Sequence, residues 1–113
     1  MEYFSLRELC RNVGVSRRSI QCYEHEGLMG PSSKNKYGHL LYDFGMIERA
    51  KLIHFMQEVG FSLKEIKEII DAPIPIIREA FELRLPELEK EEEHLKELIY
   101  EVKQYIKNLN ERD

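Results

Sequence analysis

The stretch Ser5-Leu6-Arg7-Glu8-Leu9-Cys10-Arg11-Asn12-Val13-Gly14-Val15-Ser16-Arg17-Arg18-Ser19-Ile20-Gln21-Cys22-Tyr23-Glu24-His25-Glu26-Gly27 decides the fold. Ser5 and Glu8 form a capping box, in which the serine oxygen accepts an orphan N–H and the glutamate reaches back to the cap. Leu6, Leu9, Cys10 and Val13 then recur at i, i+3, i+4 and i+7, one apolar stripe on a helix. Gly14 ends that helix, and Ser16 caps a second that runs to about Glu26, with Gly27 just past its end. Two short helices joined by a tight glycine turn are a helix-turn-helix.

Outward from this pair, residues 28–42 lose helical periodicity. Gly30-Pro31, Ser32-Ser33 and Gly38 predict a loop or short hairpin with Gly38 near its tip. Asp43 caps a third helix carrying Ile47, Ala50, Ile53, Met56 and Val59, which Gly60 stops. A second capping box, Ser62 with Glu65, opens a fourth helix bearing Leu63, Ile66, Ile69 and Ile70. Pro73 and Pro75 then break the pattern. Residues 76–84 are helical in character, and Pro86 either starts a new helix or kinks a continuous one. Beyond it, Leu88, Leu95, Val102 and Leu109 are spaced by seven, with Glu92, Ile99 and Ile106 between them. This is an a/d seam with one acidic defect at Glu92. A helix over 86–109 reaches about 36 Å at ~1.5 Å per residue, too long to pack only on a small domain. Its simplest partner is the same helix of a second chain.

The expected architecture is therefore mainly α. A winged helix-turn-helix domain of four helices and a small hairpin wing occupies 1–71, a linker with a short helix 72–85, and a long coiled-coil dimerisation helix 86–113. The dimerisation residues are Leu88, Leu95, Ile99, Val102, Ile106 and Leu109.

The 113 residues carry a net charge of −4, which taken alone argues against nucleic acid as a partner. Dividing the chain changes that inference. Residues 1–60 hold 8 Lys+Arg against 7 Asp+Glu, and residues 61–113 hold 9 against 14. The acidity thus belongs to the C-terminal half. No apolar run approaches a membrane span, and the first residues lack the basic and apolar regions of a signal peptide. With only two cysteines, a reducing cytoplasm is the expected setting.

Enzyme chemistry finds no support. His25, His39, His54 and His94 show no metal-ligand spacing, Cys10 and Cys22 form no C-x-x-C, and no glycine-rich phosphate loop is present. We expect no catalytic residues, no metal and no cofactor. Cys10, on the apolar stripe, is a packing residue. Cys22 lies near Arg17 and Arg18, so a lowered thiol pKa and redox sensing stay open for it. Arg17 and Arg18 sit at a helix start, where cations oppose the macrodipole, so stability alone accounts for them poorly. In a recognition helix the residues facing DNA would be Ser16, Arg17, Arg18, Ser19 and Gln21, with arginine suited to guanine or phosphate and glutamine to adenine. Lys34, Lys36 and His39 extend the candidate set onto the wing.

These residues in order resemble the MerR family of bacterial transcription regulators. The resemblance runs through Glu8-Leu9-Cys10, Gly14-Val15-Ser16-Arg17-Arg18-Ser19-Ile20, Tyr23-Glu24 and Gly27-Leu28-Met29-Gly30-Pro31. It continues through Gly38 and Tyr42 to Gly60-Phe61-Ser62-Leu63-Lys64-Glu65-Ile66, covering roughly residues 3–70. It implies a homodimer joined by an antiparallel pair of long helices. It also implies binding to a pseudo-palindromic promoter in double-stranded DNA, distortion of the DNA between half-sites, and RNA polymerase as a further partner. Tyr23 matches a family aromatic that is part packing and part DNA-backbone contact.

The departures from the family pattern lie in its basic positions. Gln21 and Leu40 stand where arginine is usual, Ser32-Ser33 replace the arginine after the proline, and Cys22 replaces an aromatic. Fewer phosphate contacts predict weaker DNA binding with a flatter salt dependence. The chain reads as a short form without an effector domain, so any effector would act at the dimer interface, in the 71–86 region or on a partner protein. The alternative function is a winged-helix adaptor binding a protein partner, as the family's small co-chaperone modulators do. The missing arginines, Leu40-Leu41 in the wing and the acidic last helix favour that alternative.

Overall fold

A computed structural model describes residues 2–113. The chain divides into two compact units, one ending at Ile77 and the other spanning Arg78–Asp113.

The first unit opens with β1 (Phe4–Ser5), which leads directly into α1 (Leu6–Val13). The capping box forms as the sequence predicts. Glu8 N–H donates to Ser5 Oγ at 3.1 Å, and Ser5 N–H donates to Glu8 Oε1 at 2.9 Å. After the turn at Gly14, Ser16 caps α2 (Arg17–His25) by accepting from Ser19 N–H at 3.1 Å. The end of α2 is a Schellman motif, in which Leu28 N–H reaches Tyr23 O at 2.9 Å and Gly27 N–H reaches Glu24 O at 2.9 Å. That closure needs a left-handed residue at position 27, and glycine supplies it at φ 75°.

The wing is a hairpin of β2 (Ser33–Lys34) and β3 (Leu40–Tyr42), paired Ser33 to Leu41 and Lys34 to Leu40. Asn35 organises its turn. The Oδ1 atom accepts from Tyr37 N–H at 2.9 Å and His39 N–H at 3.0 Å, and Gly38 adopts φ 80° to complete the reversal. β1 adds to the other edge of β3, giving the order β1-β3-β2 with Phe4 opposite Tyr42. This third strand is an addition to the predicted hairpin. Two residues are too short to show any period.

Helix α3 (Phe44–Val59) is capped by Asp43, and α4 (Leu63–Ile69) by the Ser62–Glu65 box. Ile47, Ala50, Ile53 and Met56 of α3 are buried, as their spacing predicts. They form the core with Leu9, Ile20, Tyr23, Leu28, Met29, Tyr42, Ile66 and Ile70. Arg49 ties the periphery of this core together. Its Nε donates to Leu28 O, and its two terminal nitrogens clasp Asp71 at 2.9 and 2.8 Å.

Helix α5 (Ile74–Arg112) begins on Pro73, whose carbonyl accepts from Ile76 and Ile77 N–H. Pro75 is tolerated there because a first-turn N–H would lack a partner anyway. The helix is continuous through Pro86, so the separate short helix expected within 72–85 and the helix expected from 86 are one element. Pro86 lies on an exposed stretch, where water can satisfy the carbonyl left without a donor. In the second unit, Arg84 pairs with Glu87 and, at 3.3 Å, with Glu91, spanning the proline on the surface. No residue of α5 is buried. No helix among the described residues is long and apolar enough to cross a membrane.

Candidate nucleic-acid interface

Helix α2 offers its first turn and outer face to solvent because Ile20 and Tyr23 hold the inner face in the core. Arg17, Arg18, Gln21 and Cys22 are exposed as a result. Adjacent residues on a helix point about 100° apart, and this separates the two arginines. Arg17 lines a shallow hollow with Ser5, Leu6, Arg7, His39 and Leu40. Arg18 lines another with Gln21, Cys22, His25, Glu26 and Leu63. The sequence expectation grouped Gln21 with both arginines. The structure groups it with Arg18 alone.

Three candidates have structural work as well. Ser16 is the helix cap, and its Oγ also lies 3.2 Å from Ser19 Oγ, so both hydroxyls are engaged within the first turn. Tyr23 is a correction. It is 1% exposed, and its hydroxyl donates to Gln57 Oε1 at 2.7 Å, so it braces α2 against α3 and offers DNA no surface. Burial pushes its hydroxyl pKa up and keeps it a donor. On the wing, Lys34, Lys36 and His39 are all exposed. Lys36 Nζ sits 5.1 Å from the centre of the Tyr37 ring, and His39 Nδ1 lies 3.4 Å from Asn35 Nδ2.

Two acidic groups of this region, Glu24 and Glu8, are drawn into local bonds. Glu24 accepts from Tyr42 hydroxyl at 2.6 Å, and burial together with that bond pushes the tyrosine pKa far up. Glu8 is held below the usual carboxylate range by the Ser5 backbone N–H. By contrast, Arg7, Arg17 and Arg18 make no ion pair with any described residue. Such guanidiniums are free for phosphate or a base edge.

Sequence reasoning passed over Arg7, Asn35 and Arg49. Arg7 carried the signal used for Arg17 and Arg18, a cation at a helix start. Asn35 and Arg49 declare themselves only through contacts distant in sequence. Cys10 is half-buried, and burial raises its thiol pKa although Arg17 pulls the other way. Cys22 is exposed. Among the described residues, no three His, Cys, Asp or Glu side chains come together as a metal site.

Comparison with known proteins points to one family. The model of the MerR HTH family regulatory protein matches residues 4–73, and a second, described as MerR, DNA binding, matches residues 47–105. The nodulation protein NolA of Bradyrhizobium sp. (strain NC92) is 41% identical over 64 residues, covering 57% of this chain and 27% of that protein. The crystal structure of MtaN, the N-terminus of the Bacillus subtilis multidrug transporter activator, superposes with a TM-score of 0.69 at 29% identity. That superposition covers 91% of this chain and 97% of that one. HiNmlR, a MerR family regulator lacking the sensor domain and bound to promoter DNA, shares the fold at 24% identity and a TM-score of 0.55. It covers 93% of this chain and 79% of its own. The chain spans less than half the length of the first curated relatives it matches.

Proposed function

Because the chain belongs to the MerR family of helix-turn-helix regulatory proteins, with family models matching residues 4–73 and 47–105, we propose that it regulates transcription as a homodimer on a pseudo-palindromic promoter site. The observation that carries the reading is the pairing of two exposed features. One is the face of α2, whose arginines have no protein partner among the described residues. The other is the seam of α5, where Leu95, Ile99, Val102, Ile106 and Leu109 are between 42 and 56% exposed. A lone chain leaves that seam in water. A second copy covers it through the same residues on both sides, as a two-fold dimer requires.

The dimer places two recognition helices in successive major grooves, with Arg18 and Gln21 at base edges and Arg17, Lys34, Lys36 and His39 toward the backbone. Half-sites then lie one helical turn, about 34 Å, or a multiple of it apart. Distortion of the DNA between them costs a few kcal/mol, which backbone contacts offset, and sets how RNA polymerase engages the promoter. DNA binding places the protein in the cytoplasm. Two of its curated relatives, mta of Bacillus subtilis and TipA of Streptomyces coelicolor, are HTH-type transcriptional activators.

The adaptor alternative loses one of its supports. Leu40 and Leu41 are half-buried in the sheet rather than displayed as a docking patch. The test is selection of bound duplexes from a random pool, followed by titration of the enriched site at several salt concentrations. We expect an inverted repeat and a linear fall of log affinity with log salt. A folded protein that enriches no sequence even at low salt overturns the DNA reading in favour of the adaptor.

A further inference from the structure

We infer that the hollow between α1, α2 and the wing is a seat for one phosphate of the DNA backbone, with Arg7 of α1 as its ligand beside Arg17. The inference rests on the DNA-binding reading above and adds a contact from a helix outside the helix-turn-helix recognition face.

Four observations carry it. First, three separate elements converge there: Arg7 from α1, Arg17 from α2, and His39 with Leu40 at the start of β3. Second, no carboxylate lines the hollow. The nearest in sequence, Glu8, is not among its lining and is engaged by Ser5 N–H at 2.9 Å. Third, neither guanidinium has an ion-pair partner among the described residues, whereas Arg49 and Arg84 are both paired. Fourth, Arg7 and Arg17 lie in the first turns of two helices, α1 and α2. A cation there opposes the helix dipole and gains nothing within the fold. An anion between them is drawn by both guanidiniums and by the positive ends of both helices. Leu6 and Leu40 supply apolar walls on which a deoxyribose can rest. The hollow beside Arg18 differs, since Glu26 lines it and its polar groups suit base edges better than phosphate.

The test compares wild type, Arg7→Ala and Arg7→Lys in duplex titrations at several chloride concentrations, with thermal melting as a folding control. For Arg7→Ala we expect the salt slope to fall by about one and affinity to drop about tenfold, equally for the selected site and for random duplex. Arg7→Lys retains the charge and should keep the slope. Melting of Arg7→Ala should be unchanged or slightly raised, because a cation opposing the dipole is removed. A wild type that binds duplex while Arg7→Ala binds with the same slope overturns this inference alone. A wild type that binds no duplex overturns the DNA reading itself. Inorganic phosphate, titrated at constant ionic strength, separates the sources. Saturable shifts of the Arg7 and His39 resonances that duplex fails to compete away would make this a free-anion site and overturn the assignment.

Discussion

Ile53 and Ile99 are the same residue in the same kind of structure, the middle of a regular helix, yet Ile53 is 0% exposed and Ile99 is 53% exposed. The winged unit encloses a core of its own apolar side chains, so its helices are held by burial within one chain. The last helix displays its apolar seam along several turns and encloses none of it. The first region is thus a self-sufficient fold, and the second presents an uncovered seam that is half of an interface in the proposed dimer. Charge divides the same way, with the acidic excess in residues 61–113 and unpaired arginines at the other end. In the proposed dimer, folding and assembly therefore rest on different residues and should respond to different perturbations.

The sharpest way to break that comparison is a charge in the seam. In a two-fold dimer an Ile99→Asp substitution enters the interface twice, and an unpaired buried charge costs about 3–5 kcal/mol. The dimer dissociation constant should rise at least roughly a thousandfold by sedimentation, which each ~1.4 kcal/mol moves tenfold. The winged unit should keep its fold by near-ultraviolet dichroism. An unchanged dimer would show that the seam is not the interface.

Ile53→Ala probes the other region. Removing buried methyl groups from a closed core costs about 2–5 kcal/mol. Urea denaturation of the winged unit should show that loss at every protein concentration, unlike the seam variant. A cost below about 0.5 kcal/mol would mean that the core tolerates a cavity at its centre, against its packing.

The same contrast explains what was legible in the sequence. Four helices could be placed because Ser5, Ser16, Asp43 and Ser62 are capping residues followed by regular apolar steps, and all four act as caps. The last helix was legible because its seven-residue repeat is long. The strand Phe4–Ser5 was not, because its order comes from pairing with Leu41 and Tyr42, far along the chain. The exposed face of α2 was legible in composition and less so in geometry. Tyr23 shares a helix with Arg17 and Arg18 but belongs to its inner face. Arg49, which reads as an ordinary surface charge on α3, ties the segment just after α2 and the segment just after α4 onto the core.

That arginine gives a smaller test within the self-sufficient region. Arg49→Met keeps the aliphatic stem but leaves the Leu28 carbonyl and Asp71 without their donors. We expect a loss of about 1–3 kcal/mol, as for a part-buried acceptor left unsatisfied, with no change in dimer dissociation. A variant that instead weakens the dimer would join two regions that the burial pattern keeps apart.

The smallest effect concerns the partner carboxylate. The Arg49 hydrogen bonds hold the pKa of Asp71 below its usual value. The folded state therefore binds fewer protons than the unfolded chain as the pH falls through the carboxylate range. The pair's contribution is fully present above the unfolded pKa, about 3.9, and is lost as pH drops through the lower folded pKa. Because Asp71 is largely exposed, solvent screens most of the Coulombic part. The stability difference between wild type and Asp71→Asn should be modest at neutral pH and shrink toward zero in acid. It should also narrow with added salt, since an exposed pair is screened. A difference that grew on acidification would have the wrong sign for a depressed carboxylate. It would leave the Arg49–Leu28 bond, not the ion pair, as the stabilising contact of this arginine.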